Sequence, residues 1–353
     1  MNESGHIVAD TAARIFADLG DPQTFNRASG MGWKEPLWRA LVQAGLTLAW
    51  VPESEGGSGA SLADGFAVLG VAGRNAAPVP LAETLMAGWL LAQAGIASPA
   101  EAMTLAPMRP RDRIVMNDDG TLSGRATGVP FAREAKHIAV LGFAGDAATI
   151  ALVETGRCRL SEGASLAGDA ADTVELARVS PVSSVTVPGF DQSALMLMGA
   201  IVRSVEIAGA LEAILAMSVR YANERVAFER PIGKFQAVQQ NLARLAGETA
   251  AALAAAGSAT DALAQATSID DALFLEAAAA KIRSAEAAAE GAAIAHQVHG
   301  AIGFTQEHVL HRYTLRLLGW RDDFGNESYW AAALGQMVAK RGAADFWSLI
   351  ASR

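Results

Sequence analysis

The sequence predicts an α+β protein in three parts: an N-terminal helical domain (residues 1–108), a small middle β-sheet or barrel domain (109–190) and a C-terminal four-helix bundle (191–353). Three observations predict this. In the first part apolar residues recur at helical spacing, as in Trp38, Leu41, Val42 and Leu46. Short β-rich runs separated by turn residues fill the middle. Alanine, the best helix former and small enough for close helix approach, dominates the rest.

Each element has a local reason. Val51-Pro52-Glu53-Ser54-Glu55-Gly56-Gly57-Ser58-Gly59 reads as a flexible loop, because glycine reaches dihedrals closed to other residues. Ser61 is placed to cap the next helix, with Asp64 as an acidic first-turn residue. Asn75 to Pro80 breaks that helix, and Leu81 to Ala94 restarts it. Asn117-Asp118-Asp119-Gly120 is a turn between Arg113–Met116 and Thr121–Gly124. His137–Leu141, Ala148–Val153 and Val185–Val187 read as further strands. From Ala277 to Ala295 the charges Lys281, Arg283, Glu286 and Glu290 sit among alanines, which suits a tight antiparallel bundle rather than disorder.

The bulk properties bound the function. A chain of 353 residues is long enough for two or three packed units. It is 51% apolar and only 18% charged, which fits a large core or a large oligomer interface. The net charge of −9 argues against nucleic acid as a partner. Cys158 is the one cysteine, so no intrachain disulfide and no cysteine metal cluster is expected. Met1–His6 lacks a basic region followed by an apolar run, so no signal peptide is expected. Apolar runs are interrupted by Gly, Arg or Glu, so a cytoplasmic protein with no membrane span is expected.

Two segments carry the chemistry. In the first, Arg225 precedes Phe228 and a Pro231-Ile232-Gly233 turn. A guanidinium offers a planar fork of donors that matches a diphosphate, and here it sits where a helix breaks. The alternative is a bundle-end arginine paired with Glu224 or Glu229. In the second, Gln297, Gly300 and Gly303 surround a turn where backbone N–H groups can come near phosphate oxygens. The alternative there is a plain helix–loop–helix turn. His299, His308 and His311 invite a metal reading, but no carboxylate-rich or cysteine-bearing set accompanies them, so no metal is expected.

Taken together, Arg220–Gln240 and Gln297–Thr305 resemble the signature of the acyl-CoA dehydrogenase family. Trp38…Gly45-Leu46…Val51-Pro52-Glu53…Gly56-Gly57…Gly59 and Arg74…Pro80-Leu81-Ala82-Glu83-Thr84 resemble its first domain. The resemblance implies that Arg225 and Phe228 hold the diphosphate and adenine half of an FAD shared between two subunits. It implies a contact from Gln236, and a second one from Gln297, Gly300 and Gly303. It further implies an acyl-CoA substrate, α,β-dehydrogenation, a separate electron-transfer acceptor, and a homo- or hetero-oligomer (a dimer or a tetramer). Ala301 stands where the family usually has a glycine.

The family's reaction needs a carboxylate base within reach of the carbon next to the thioester. Aligned on Gly325, Phe324 occupies one family position for that glutamate, and Gly199 occupies the other. Neither can take a proton. Asp323 is the nearest candidate base, and Glu206 or Glu327 could reach the site from elsewhere. Their ordinary alternatives are an acidic turn partnering Arg321 and a helical salt bridge from Glu206 to Arg203. A paralogous partner chain could also supply the base, as in heteromeric dehydrogenases of steroid and other bulky-acyl catabolism. The family's Thr-Glu-Pro…Gly-Ser segment is missing, with Gly128–Ala132 and Ala135–His137 the nearest features. Two rival functions stay open: a catalytically silent flavin-binding paralogue, and a flavin monooxygenase of the same fold.

Overall fold

The computed structural model describes residues 3–27 and 34–351. Met1 and Asn2, part of the segment on which the signal-peptide expectation rests, lie outside it. The N-terminal part contains α1 (Glu3–Leu19), α2 (Pro22–Arg27), α3 (Lys34–Gln43), α4 (Leu62–Arg74) and α5 (Leu81–Ala92). On α3 the fully buried face is Leu37 and Leu41, with Trp38 only partly buried against the core. Ser61 and Asp64 form a complete capping box at the start of α4, each side chain bonding the other's backbone N–H.

Eight strands make the middle sheet: β1 (Met103–Ala106), β2 (Ile114–Met116), β3 (Leu122–Pro130), β4 (His137–Ala144), β5 (Ala147–Glu154), β6 (Arg159–Ser161), β7 (Ala171–Val179) and β8 (Ser183–Thr186). Their order is β6-β7-β3-β2-β4-β5-β8, with β1 added parallel to β4. The sheet therefore starts at Met103, inside the span expected to be helical. Four residues are too few to show helical periodicity, and pairing with β4 decides their state. Side chains alternate between two cores on β4 and β5. Ile138, Val140, Ala151 and Val153 enter a cluster made by the sheet alone, while Ala139, Leu141, Ile150 and Leu152 face the helices. Both faces are covered, so these strands read as continuous apolar runs.

The last part holds α6 (Gln192–Glu224), a hairpin of β9 (Val226–Ala227) and β10 (Arg230–Pro231), then α7 (Gln236–Gln265), α8 (Asp271–His299), α9 (Leu310–Asp322), α10 (Glu327–Arg341) and α11 (Phe346–Ala351). Helices α6 to α9 pack together as the bundle. By length and composition α6 could cross a membrane, yet 94% of its most apolar stretch is buried inside the fold. It is the central helix of the molecule.

Glycines let α6 touch α4. A Cβ on Gly73 would lie 2.3 Å from the Glu206 carbonyl oxygen, and one on Gly209 would lie 2.3 Å from that of Gly70. Helix α9 ties all three parts together. Tyr313 donates from its hydroxyl to the Arg74 carbonyl at 2.9 Å, and buried Arg316 donates to the Ala76 carbonyl and pairs with Asp169 of the sheet domain. Because the crossing cannot open without breaking these ties, Gly209→Ala is expected to lower the unfolding free energy by about 1–3 kcal/mol, measured by urea denaturation.

Candidate functional site

A cleft of about 1130 Å³ lies where the sheet domain meets α5, α6 and α9. Its inner wall is charged. Gly199, Arg203 and Glu206 share one face of α6, at i, i+4 and i+7. Arg203 is 2% exposed and meets three carboxylates: Glu83 of α5 at 2.6 Å, Glu206 at 2.5 Å and Asp323 at 2.9 Å. Burial raises the Glu206 carboxyl to about 7, against the opposing pull of Arg203. Burial alone would favour losing the Arg203 proton, but the three carboxylates together hold its guanidinium charged, well above its ordinary range.

Phe324 fills the place where a base is sought. Its ring is fully buried, and a Cβ on Gly199 would lie 2.2 Å from it. The two family positions for the glutamate thus meet in space, and Phe324 occupies the room that a side chain at 199 would need. The turn is held in a strained form. Phe324 has φ 54°, Gly325 has φ 89°, and the Trp330 indole donates to the Phe324 carbonyl at 3.0 Å. Lys281, fully buried on α8, holds the turn from behind. Its ammonium donates to the Trp320 and Arg321 carbonyls at 2.8 and 2.9 Å, and so caps the end of α9. Burial lowers its pKa to about 7, against the pull of Asp323.

The other candidates are placed as follows. Asp323 lines the cleft with 27% of its side chain exposed, and is ion-paired to Arg203. Glu206 also lines the cleft and makes the helical salt bridge to Arg203. Glu327 starts α10 and pairs with Arg321 at 3.1 Å. Thr127, Gly128, Pro130 and Phe131 line the sheet side of the cleft. The sequence reading missed Glu83, Lys281 and Arg316 as parts of the site. The available signal was a charge isolated within an apolar or alanine-rich helix, which must find a partner if the helix is buried.

The second segment pair lies at one end of the bundle. Arg225 ends α6 with an exposed guanidinium that makes no ion pair or hydrogen bond among the described residues. The alternative pairing with Glu224 or Glu229 is not formed, because the hairpin turn carries Glu229 away. That turn places Phe228 and Glu229 at φ 52° and 66°, a type I′ geometry that costs roughly 1–2 kcal/mol per non-glycine residue. It presents Phe228 89% exposed. Gln236 and Gln297 are exposed too. Gly300 has φ 65° with open space where a Cβ would stand, whereas Gly303 is buried, its missing Cβ making room for His299 and Leu310. The histidines stack rather than gather around a common point: His296 on Phe304 at 4.1 Å, and His299 on Tyr221 at 4.5 Å.

Known proteins resemble this chain in sequence and in fold. The family described as acyl-CoA dehydrogenase, C-terminal domain, matches residues 190–321. The acyl-CoA dehydrogenase IpdE2 of Mycobacterium tuberculosis is 31% identical over 325 residues, covering 90% of this chain and 92% of the relative. A chain of the ChsE4–ChsE5 complex from Mycobacterium tuberculosis superposes with a TM-score of 0.86 at 25% identity, covering 97% of this chain and 99% of that one. A chain of the Tcur3481–Tcur3483 steroid acyl-CoA dehydrogenase (G363A variant) gives 0.84 at 25% identity, covering 96% and 98%. The chain belongs to the acyl-CoA dehydrogenase family.

Two predictions follow from the inner wall. Gly199→Ala is expected to cost about 1–3 kcal/mol by overpacking and Phe324→Ala about 3–5 kcal/mol by leaving a cavity. The double variant should cost less than the sum of the two by at least ~1 kcal/mol, since each change relieves the other, as read from urea midpoints. Lys281→Ala is expected to cost about 3 kcal/mol through the lost packing and two unpaired carbonyls. Because folding lowers the Lys281 pKa from 10.5 to about 7, the unfolded chain binds more protons in that window. Wild-type stability should therefore gain on the variant as pH rises from 7 to 10.5.

Proposed function

We propose that this chain is an FAD-dependent acyl-CoA dehydrogenase subunit that works beside an unlike partner, with the partner supplying the catalytic base. The observation that carries this is the Phe324 ring seated on Gly199: one family position holds an aromatic ring, and that ring takes the room a side chain at the other would need. The neighbouring carboxylates have other work. Glu83, Glu206 and Asp323 neutralise Arg203, and Glu327 pairs with Arg321. Two structural neighbours, the ChsE4–ChsE5 complex and the Tcur3481–Tcur3483 steroid acyl-CoA dehydrogenase, each pair two differently named chains, which supports the same reading.

The residues present fit a dinucleotide. Among the described residues the Arg225 guanidinium and the Gln236 and Gln297 amides make no hydrogen bond, and Gly300 leaves its backbone open to an approaching group. Arg225 would pair with the diphosphate, the two glutamines would add hydrogen bonds, and exposed Phe228 would be covered by the adenine half or by the partner. A flavin held there would supply a hydride acceptor for the dehydrogenation and would hand its electrons to a separate acceptor protein. Strain in the Phe228 turn is retained where a ligand or partner can repay it.

A second reading has its own observation. Glu206 lines the cleft with its pKa raised to about 7, the range of a general base at neutral pH. Substitution in the assembled complex separates the two. Asp323→Asn and Glu206→Gln are expected to leave turnover within about tenfold, while loss of a true general base costs ~100-fold or more. A loss of that size at either position moves the base into this chain. Purified alone, the chain should not bleach a flavin band on anaerobic addition of acyl-CoAs; bleaching by the single chain would remove the need for a partner.

A further inference from the structure

The two halves of the flavin signature are joined by one aromatic contact. Tyr221 lies one helical turn before Arg225 on α6, and His299 directly precedes Gly300 at the end of α8. Their rings stack with centroids 4.5 Å apart and planes 25° apart, and the His308 ring lies 4.8 Å from that of His299. His299 is 4% exposed. Its Nδ1 bonds the Ala295 carbonyl at 2.8 Å, so the proton sits on Nδ1. Nε2 is then a bare acceptor, buried and without a partner among the described residues.

That arrangement is odd for a structural histidine, which normally uses both nitrogens when buried. The contribution of His299 here is a flat, uncharged ring. The surroundings keep it uncharged. Among the described residues, the groups that act on His299 and on His308 beside it are His296 on α8, His311 on α9 and Arg220 on α6, with Tyr221 stacked on His299, and no carboxylate is among them. Burial, helped by His296, holds the His299 imidazole below its usual range.

We propose that His299 is a positioning residue for dinucleotide binding. Its neutral ring, stacked on Tyr221, holds the Arg225 end of α6 against the Gly300 turn, so that the arginine and glycine segments address one diphosphate together. This rests on the flavin reading above. The sign of its pH dependence follows from the depressed pKa. The neutral ring is fully present above the ordinary imidazole value of 6.5 and is lost as pH falls below that through the folded value.

The test uses the assembled oligomer, stripped of flavin and titrated with FAD by fluorescence at several pH values between about 5.5 and 8. At pH 8, His299→Ala is expected to raise the FAD dissociation constant about tenfold, the size of losing an aromatic pair. Tyr221→Leu should do the same, and the double variant should be no worse than either single one. His299→Phe keeps a ring but no titrating nitrogen. It is expected to bind within about twofold of wild type at pH 8 and to lose the weakening on the acid side. Should His299→Ala fail to fold, Tyr221→Leu and His299→Phe carry the test. Wild-type affinity in His299→Ala, or an acid-side loss that survives in His299→Phe, overturns the proposal. A wild-type oligomer that takes up no FAD overturns the flavin reading itself, a result distinct from either.

Discussion

The buried Arg203 guanidinium is the interaction on which the rest of the structure depends. It gathers a carboxylate from α5, one from its own helix and one from the turn after α9, and so joins the N-terminal domain to both sides of the bundle. A charge this deep is tolerable only while it is paired, and removing one partner leaves a residue that water cannot reach. Lys281 extends the constraint by fixing the carbonyls at the end of α9. Together they set the position of Asp322, Asp323 and Phe324. The cleft is therefore shaped by buried charges rather than by the apolar core around it.

This constraint explains how the chain departs from its family without losing the fold. A carboxylate at 199 or 324 would have to share the inner wall with Glu83, Glu206 and Asp323, three anions served by Arg203 and the nearby Lys281. Like charges in so dry a place raise one another's pKa and destabilise the wall. An aromatic ring at 324 and a glycine at 199 remove that conflict and seal the wall by packing. The Arg225 end of the bundle, by contrast, stays open: among the described residues the Arg225 guanidinium and the Gln236 and Gln297 amides have no hydrogen-bond partner, and exposed Phe228 sits on a strained turn.

Much of this was legible in the residues. Ser61 announced a helix cap with Asp64 in the first turn, Asn117–Gly120 announced the turn between β2 and β3, and the runs His137–Leu141 and Ala148–Val153 announced strands; the reciprocal capping box and the pairing of β4 with β5 came from the structure. Other elements were not. β1 is four residues long, and β7 alternates around a buried aspartate, Asp172, which Arg133 neutralises from a distant part of the chain. Local pattern cannot reveal such a residue as inward-facing, because its partner is 39 residues away in sequence. Gly300 and Gly303 looked alike in the sequence, yet one answers to a dihedral and the other to close packing.

By itself the sequence determined the three-part α+β order and the helical bundle, and it holds no glutamate at positions 199 and 324. These follow from periodicity, propensity and residue identity, which are local properties. Only the tertiary structure decided that Gly199 and Phe324 touch, that three carboxylates share one arginine, and that Tyr221 stacks on His299. Contacts between residues far apart in the chain depend on how helices cross and how closely backbones approach, and no local pattern encodes that distance.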